Sequence, residues 1–303
     1  MTVTEKNYSF IGEIMNYRDR DGNDIINTTG QDKFLKFLYT NKIGRKFLKL
    51  MISDKVTRAI EIYMNTKLST LKIDGFIKKN HININDYEKK YFKSYNEFFI
   101  RKIRKGRRPI NMDRDALISP SDGKVTVYPI SENLVVNIKN IDYSVKSLLL
   151  DRELAEEFYG GWLYVIRLTV DNYHRYCYPD GGYQYENYYI PGFFHTVNPI
   201  ALENTSVFAQ NARAYTMMDT DNFGRIVQME VGAMGVGRIV NHYEDTFVSR
   251  GQEKGYFEFG GSTICLFVRG DEVKPDADIV KNTLEGYETL VKMGEKIGTR
   301  AGR

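Results

Sequence analysis

Two patterns of apolar spacing divide this chain. Residues 1–30 are polar and turn-rich, with DRDGND at their centre, and predict a loop or hairpin. From 31 to about 105 apolar positions recur at helical spacing, most clearly in FLKFLYTNKIGRKFLKLM (34–51). After about 115 the spacing shortens to β-prone runs separated by Gly, Asp and Asn. LISPS, KVTVYPI, NLVVNI, WLYVIRLTV, YQYENYYI, RIVQMEV, VGRIV, YFEFG and TICLFV all read as strands. SVKSLLLDRELAEEF (144–158) predicts one or two helices among them, and a further helix is expected around 276–293. The fold class is therefore α+β: a helical N-terminal region, residues 1–115, beside a β-rich domain, residues 116–303.

Charge sharpens that division. Residues 1–110 hold 24 Lys+Arg against 12 Asp+Glu, whereas residues 111–303 hold 19 against 27. The basic half is expected to meet something anionic. The segment 34–51 carries five basic residues and no acid, so its helix suits a membrane interface; it also suits a hairpin packed on the β-rich domain. The run RKIRKGRR (101–108), six basic residues in eight, reads as a solvated helix end. Zinc-finger spacing, RNP-like aromatic strands and a recognition-helix signature are absent from the sequence, and no nucleic-acid partner is expected. Only Cys177 and Cys265 occur, too few for a disulfide framework. MTVTEKNYSF has no signal-peptide pattern, and no apolar run approaches the ~20 residues of a spanning helix. A soluble or peripheral protein is expected.

The candidate chemistry centres on Gly260-Gly261-Ser262-Thr263, between two β-prone stretches. Gly261 has no Cβ, so the Ser262 hydroxyl can approach its carbonyl. Attack there would turn the peptide bond into an ester. Elimination and hydrolysis would then leave residue 262 as an N-terminal pyruvoyl group. A tight turn uses the same residues, and the tetrapeptide alone favours that plainer reading. Gly232–Gly237 mimics a phosphate-binding loop, but the strand-like VGRIV that follows is not the helix a dinucleotide site needs.

Three other segments change the balance: ISPSDGKVTVY (118–128), LTVDNYHRYCYPDGG (168–182) and PGFFHTVNPIAL (191–202). SPSDG, NYHR, GFFHTVNP and GGST, in this order, resemble the phosphatidylserine decarboxylase family, most of all its clostridial forms. EVGAMGVGRIV and QEKGYFEFGG are similar to the family as well, and the resemblance runs from about residue 30 to 270. It implies self-cleavage between Gly261 and Ser262 into chains of residues 1–261 and 262–303. It further implies a pyruvoyl cofactor made from Ser262, whose ketone condenses with the substrate amine. The implied reaction turns phosphatidylserine into phosphatidylethanolamine and CO2 at the cytoplasmic face of the membrane, in a commonly dimeric protein, with no metal.

The resemblance assigns the triad to Asp122, a histidine of the NYHR segment, and Ser262. Many members carry HR-x-H and use the second histidine as base; here the sequence is His174-Arg175-Tyr176-Cys177. A thiol is a poor replacement for imidazole near neutral pH. His174 is then the favoured base and His195 the runner-up, while His81 and His242 receive no role. The alternative to the enzyme is a lipid-surface binding protein that kept the fold and lost processing through Cys177.

Overall fold

Apolar residues along WLYVIRL and STICLFV form adjacent strands at the centre of a large sheet, and the elements around them place the motifs. The structure is a computed structural model describing residues 16–25, 54–139, 141–194, 209–232, 238–260 and 262–302. It begins with strands β1 (Tyr17–Arg18) and β2 (Asp24–Ile25), then helices α1 (Asp54–Met64), α2 (Ile73–Lys79) and α3 (Tyr95–Phe99). Next come β3 (Ala116–Ile118), β4 (Gly123–Pro129), β5 (Val135–Ile138), β6 (Ile141–Ser144), α4 (Val145–Leu149) and α5 (Arg152–Glu157). Strands β7 (Trp162–Leu168), β8 (Arg175–Cys177), β9 (Gly182–Ile190), β10 (Phe193–Phe194), β11 (Ala209–Gln210), β12 (Arg213–Thr220) and β13 (Gly224–Val231) follow. The last are β14 (Ile239–Asn241), β15 (Thr246–Val248), β16 (Glu253–Phe257), β17 (Ser262–Val268), β18 (Val273–Pro275), α6 (Ala277–Leu284), β19 (Glu288–Val291) and β20 (Lys296–Arg300).

Ten strands make one sheet in the order β15-β9-β12-β13-β17-β7-β4-β19-β1-β2, with β1 and β19 parallel. Every residue of β17 is buried, because both faces of the sheet are covered there. Val227, Cys265 and Phe267 pack under α4, α5 and the β5–β6 hairpin on one face. Ile166, Ile264 and Leu266 pack on the other, against Tyr176 and Phe257 of the small sheet β14-β16-β8 and Val273 and Ile297 of β18-β20-β3. Gly123, at the head of β4, allows the close approach of β7: an added Cβ would lie 2.7 Å from Ile166 and 3.0 Å from the Arg167 carbonyl.

The chain leaves the large sheet between β7 and β8 and returns between β16 and β17. Since β8 pairs with β16, with Arg175 opposite Tyr256, the two crossovers run side by side. His174 ends the first and Ser262 ends the second. A third apolar cluster, with Ile73, Tyr95, Phe98 and Phe99, packs Val170 and Phe259 from these crossovers against the N-terminal helices.

The fold is α+β, as expected, with the hairpin at 17–25 and two helices within 144–158. The segment 34–51 lies outside the described residues. The helix expected over 276–293 stops at Leu284: Gly286, with φ of 82°, reverses the chain, and ETLV then enters the large sheet between β4 and β1 as β19. The 101–108 run is solvated only in part: Lys102, Arg104, Lys105 and Arg107 are exposed, and two of its arginines turn inward. Arg101 is 2% exposed and donates to the carbonyls of Asp171 and Asn172, while Arg108 binds Asp122.

Candidate active site

Ser262 opens β17, held by Leu168 of β7 opposite it, and is itself buried. Its hydroxyl stands 3.5 Å from Nδ1 of His174 and 3.4 Å from the Gly260 carbonyl oxygen. Both are long for hydrogen bonds, as reacting groups often are before they close. The backbone holds His174 in place: its carbonyl accepts from Phe257 N at 3.0 Å, which ties the histidine to the strand that leads into the GGST segment. Upstream, the Asn172 side chain accepts from Thr169 N and Thr169 Oγ1, shaping the turn out of β7.

His174 is completely buried, and Phe99 of α3 stacks on its ring with centroids 3.8 Å apart. Burial, reinforced by the nearby Arg101 guanidinium, pushes its pKa down to about 3. The imidazole is therefore neutral at working pH. With the proton on Nε2, Nδ1 has a lone pair facing the serine. Nε2 is buried and has no hydrogen-bond partner among the described residues, so no carboxylate among them orients the ring from behind.

Asp122 sits on the predicted turn between β3 and β4, but the structure gives it other partners. Its carboxylate accepts from Arg108 Nε and Nη2 at 2.7 and 2.5 Å, and from Met293 N at 3.0 Å. None of these bonds reaches His174. The geometry is thus a Ser262–His174 pair, with the acid of the expected triad committed to a bidentate ion pair. Gly261 and His195 lie outside the described residues.

The profile of the family described as Phosphatidylserine decarboxylase matches residues 95–299. Phosphatidylserine decarboxylase proenzyme 2 of Clostridium acetobutylicum is 46% identical over 265 residues, 87% of this chain and 91% of that protein. A phosphatidylserine decarboxylase proenzyme of Clostridium perfringens is 41% identical over 274 residues, 88% of this chain and 93% of its own. One of Clostridium botulinum is 39% identical over 290 residues, 94% and 98% of the two chains. The chain belongs to the phosphatidylserine decarboxylase family.

Within this decarboxylase fold Cys177 occupies the end of β8, 1% exposed, with its N–H donating to the Pro120 carbonyl of the SPSDG turn. Burial pushes its thiol far above the ordinary range, and the charge of Asp122 adds to the effect. It supplies no thiolate at neutral pH. Cys177→Ala is accordingly expected to leave self-cleavage within about twofold of the parent, since a buried thiol this weak contributes packing rather than proton transfer. Intact mass followed over time tests this, and a chain that stops cleaving would make the thiol the base.

Sequence reasoning missed three residues that brace the segments around the site. Phe99 stacks on His174, Arg101 ties down the turn before it, and Asn96 accepts from Phe259 N at 3.2 Å in the loop before Ser262. Their signal is the apolar-aromatic stretch NEFFIR beside a basic run, which reads locally as ordinary packing. A buried ion pair was missed as well. Lys254 Nζ lies 2.9 and 3.0 Å from the two oxygens of Glu230, and both side chains are fully buried. Glu230 faces Ile264 across β13 and β17, two positions along from Ser262. Gln228 and Asn241 donate to the same carboxylate, which compensates a charge that burial alone would not tolerate.

Proposed function

We propose that this chain cuts itself between Gly261 and Ser262 and then decarboxylates phosphatidylserine to phosphatidylethanolamine and CO2. The observation that carries the reading is the Ser262 hydroxyl beside a neutral, buried Nδ1 of His174. The clostridial relatives are named proenzymes, which accords with a chain that must be processed.

In the first step His174 Nδ1 takes the Ser262 proton as Oγ bonds to the Gly261 carbonyl carbon. The C–N bond then breaks and nitrogen receives the proton, giving an ester. Removal of the residue-262 α proton expels the Gly261 carboxylate and leaves an enamine, which takes a proton on Cβ to become an imine; water then replaces the imine nitrogen, which leaves as ammonia. The residues present fit the pyruvoyl group so formed: residue 262 is buried at the head of a strand, and Nδ1 of His174 stands 3.5 Å from the serine oxygen. That group supplies an electron sink for the carbanion left when CO2 departs. His174 remains at residue 262 to carry a proton, Phe99 fixes its ring, and the surrounding burial excludes bulk water. Asp122 ties the SPSDG turn to Arg108 and to Met293 N, while the Pro120 carbonyl of the same turn holds the strand end that carries Cys177.

The lipid substrate places the enzyme peripherally at an anionic membrane, with the cytoplasmic face and a homodimer as parts of the same proposal. No helix among the described residues is long and apolar enough to cross a membrane. Ile62, Leu68 and Leu71 are exposed near Lys67 and Lys72 in the N-terminal helical region, a mixture suited to an anionic lipid surface.

The test joins two readouts on one preparation: denatured intact mass, and CO2 released from vesicles containing phosphatidylserine. Two pieces split at 261/262, the smaller without a free N-terminal amine, together with CO2 release, are expected. An uncleaved chain that binds the vesicles would instead favour the processing-deficient lipid-binding protein.

A further inference from the structure

Self-cleavage requires the backbone at 260–262 to present one carbonyl to one hydroxyl, and the approach to it is a loop, not part of a ladder. Residues 258–260 make none of the strand pairings that fix β16 and β17. Two of their amides are nevertheless held. Glu258 N donates to the Arg238 carbonyl at 2.9 Å, and Phe259 N donates to the side chain of Asn96 at 3.2 Å. Asn96 comes from the N-terminal helical region, 163 residues earlier in the chain.

Asn96 is well placed to hold a fixed point. It is 8% exposed and lies on α3, whose first turn is capped by Ser94 accepting from Glu97 N. Its Nδ2 donates to Asn65 Oδ1 at 3.1 Å, which fixes the amide so that Oδ1 faces the loop. Tyr95 N donates to Ser69 Oγ at 2.8 Å, bracing the same helix at its first turn. The Phe259 side chain packs edge-on against Tyr95 and Phe99, with centroids 5.5 and 5.4 Å apart. One turn along the same helix, Phe99 stacks on His174. A single short helix thus touches both partners of the cleavage reaction: the loop carrying the scissile bond through Asn96, and the base through Phe99.

We propose that Asn96 is a positioning residue for self-cleavage, holding the Phe259 amide so that the Gly261 carbonyl is presented to the Ser262 hydroxyl. The proposal rests on the self-processing reading above. It concerns the uncut chain in particular, because cleavage frees residue 262 from the loop that Asn96 restrains. Asn96 therefore governs how fast the enzyme matures and has little part in how fast the mature enzyme turns over.

The experiment compares the parent with Asn96→Leu, Asn96→Asp and Asn65→Leu, each purified as the full chain, and follows the cleaved fraction with time by denatured intact mass. CO2 release per cleaved chain is measured on the same samples. Asn96→Leu removes the acceptor and is expected to slow cleavage about tenfold or more, since small misplacements of reacting groups cost up to about a hundredfold. Asn96→Asp keeps an acceptor at the same reach and is expected to restore cleavage to within about threefold of the parent, charge-assisted acceptors being at least as strong as neutral ones. Asn65→Leu keeps Oδ1 of Asn96 but frees its amide to turn, and is expected to cleave at a rate between those of the parent and Asn96→Leu; the cleaved fraction of Asn96→Leu is expected to decarboxylate like the parent. Parent-like cleavage by Asn96→Leu would overturn the proposal. So would Asp and Leu variants that are equally slow, since packing and not the acceptor would then matter. A parent that never cleaves would overturn the processing reading and this proposal with it. A parent that cleaves without releasing CO2 would overturn the substrate alone, and the cleavage rates of the variants would still decide the role of Asn96.

Discussion

Ser262→Ala is expected to leave a single 303-residue chain where the parent gives pieces of residues 1–261 and 262–303, and to abolish decarboxylation. The substitution removes one oxygen from a buried site. Among the described residues that oxygen meets His174 Nδ1 and the Gly260 carbonyl, at 3.5 and 3.4 Å. Neither is a strong hydrogen bond, so the stability lost is expected to be about 1 kcal/mol or less. The fold should survive while the chemistry vanishes. The adjacent hydroxyl, on Thr263, cannot take over, because it points to the opposite face of β17, as alternation along a strand requires. Intact mass and the thermal midpoint read on one sample separate the two effects. A Ser262→Ala chain that still splits at 261/262 would exclude serine attack as the cleavage step.

Much of this arrangement is legible in the sequence. GGST and NYHR are readable because each is a local pattern, and strands such as KVTVYPI and TICLFV announce themselves by β-branched runs. What escapes depends on contacts between distant segments. The SPSDG turn is visible in the sequence, yet the bond between Asp122 and Arg108 is not, since a basic run says nothing about which of its members turns inward. Arg101 shows the same limit: its charge reads as solvent-facing, but it satisfies carbonyls 70 and 71 residues away. The short helix α3 has too few turns to show amphipathic spacing, and its meaning lies in what Asn96 and Phe99 touch. The tail reads as one helix because its apolar residues also fit helical spacing, whereas pairing of Thr289 with Val125 and Val291 with Gly123 commits ETLV to the sheet. Where local preference and tertiary pairing disagree, pairing decides.

The Glu230–Lys254 pair extends that lesson to electrostatics. Each residue alone reads as surface: Lys254 is charged and follows Glu253, and Glu230 alternates with apolar Met229 and Val231 like the solvent-facing member of a strand. The structure buries both within hydrogen-bond reach of each other. Burial lowers the lysine's pKa and the carboxylate raises it, with burial the larger effect. The pair lies on the face of the large sheet that also carries Ser262, where apolar residues of β17 would otherwise meet polar side chains of β12 and β13 unsupported. Its effect on the site is to fix the relative placement of β13 and β16, the strands that flank the entry to β17.

Replacing His174 by glutamine is expected to slow self-cleavage by about two to four orders of magnitude, the usual loss when a positioned base is removed. Glutamine retains a polar side chain of similar reach but offers no basic nitrogen. It also forfeits the stacking on Phe99, worth on the order of 1 kcal/mol, so the fold should persist. The pH dependence provides the sharper test. A histidine of ordinary pKa would lose its free base as pH falls through about 6.5, and cleavage would fall with it. With the folded-state pKa near 3, the base form persists, and the cleavage rate should show no inflection near 6.5. Stability behaves differently. Below about 6.5 the unfolded chain takes up a proton at this histidine that the folded chain refuses, so stability should be lost progressively as pH falls from 6.5 toward 3. Cleavage rate and denaturant midpoint measured across that window should therefore diverge, the first flat while the second falls. His195→Ala provides the control: cleavage that survives Gln at 174 but stops with Ala at 195 would move the base to the other histidine. An inflection near 6.5 that disappears in His195→Ala would likewise assign the proton transfer to His195.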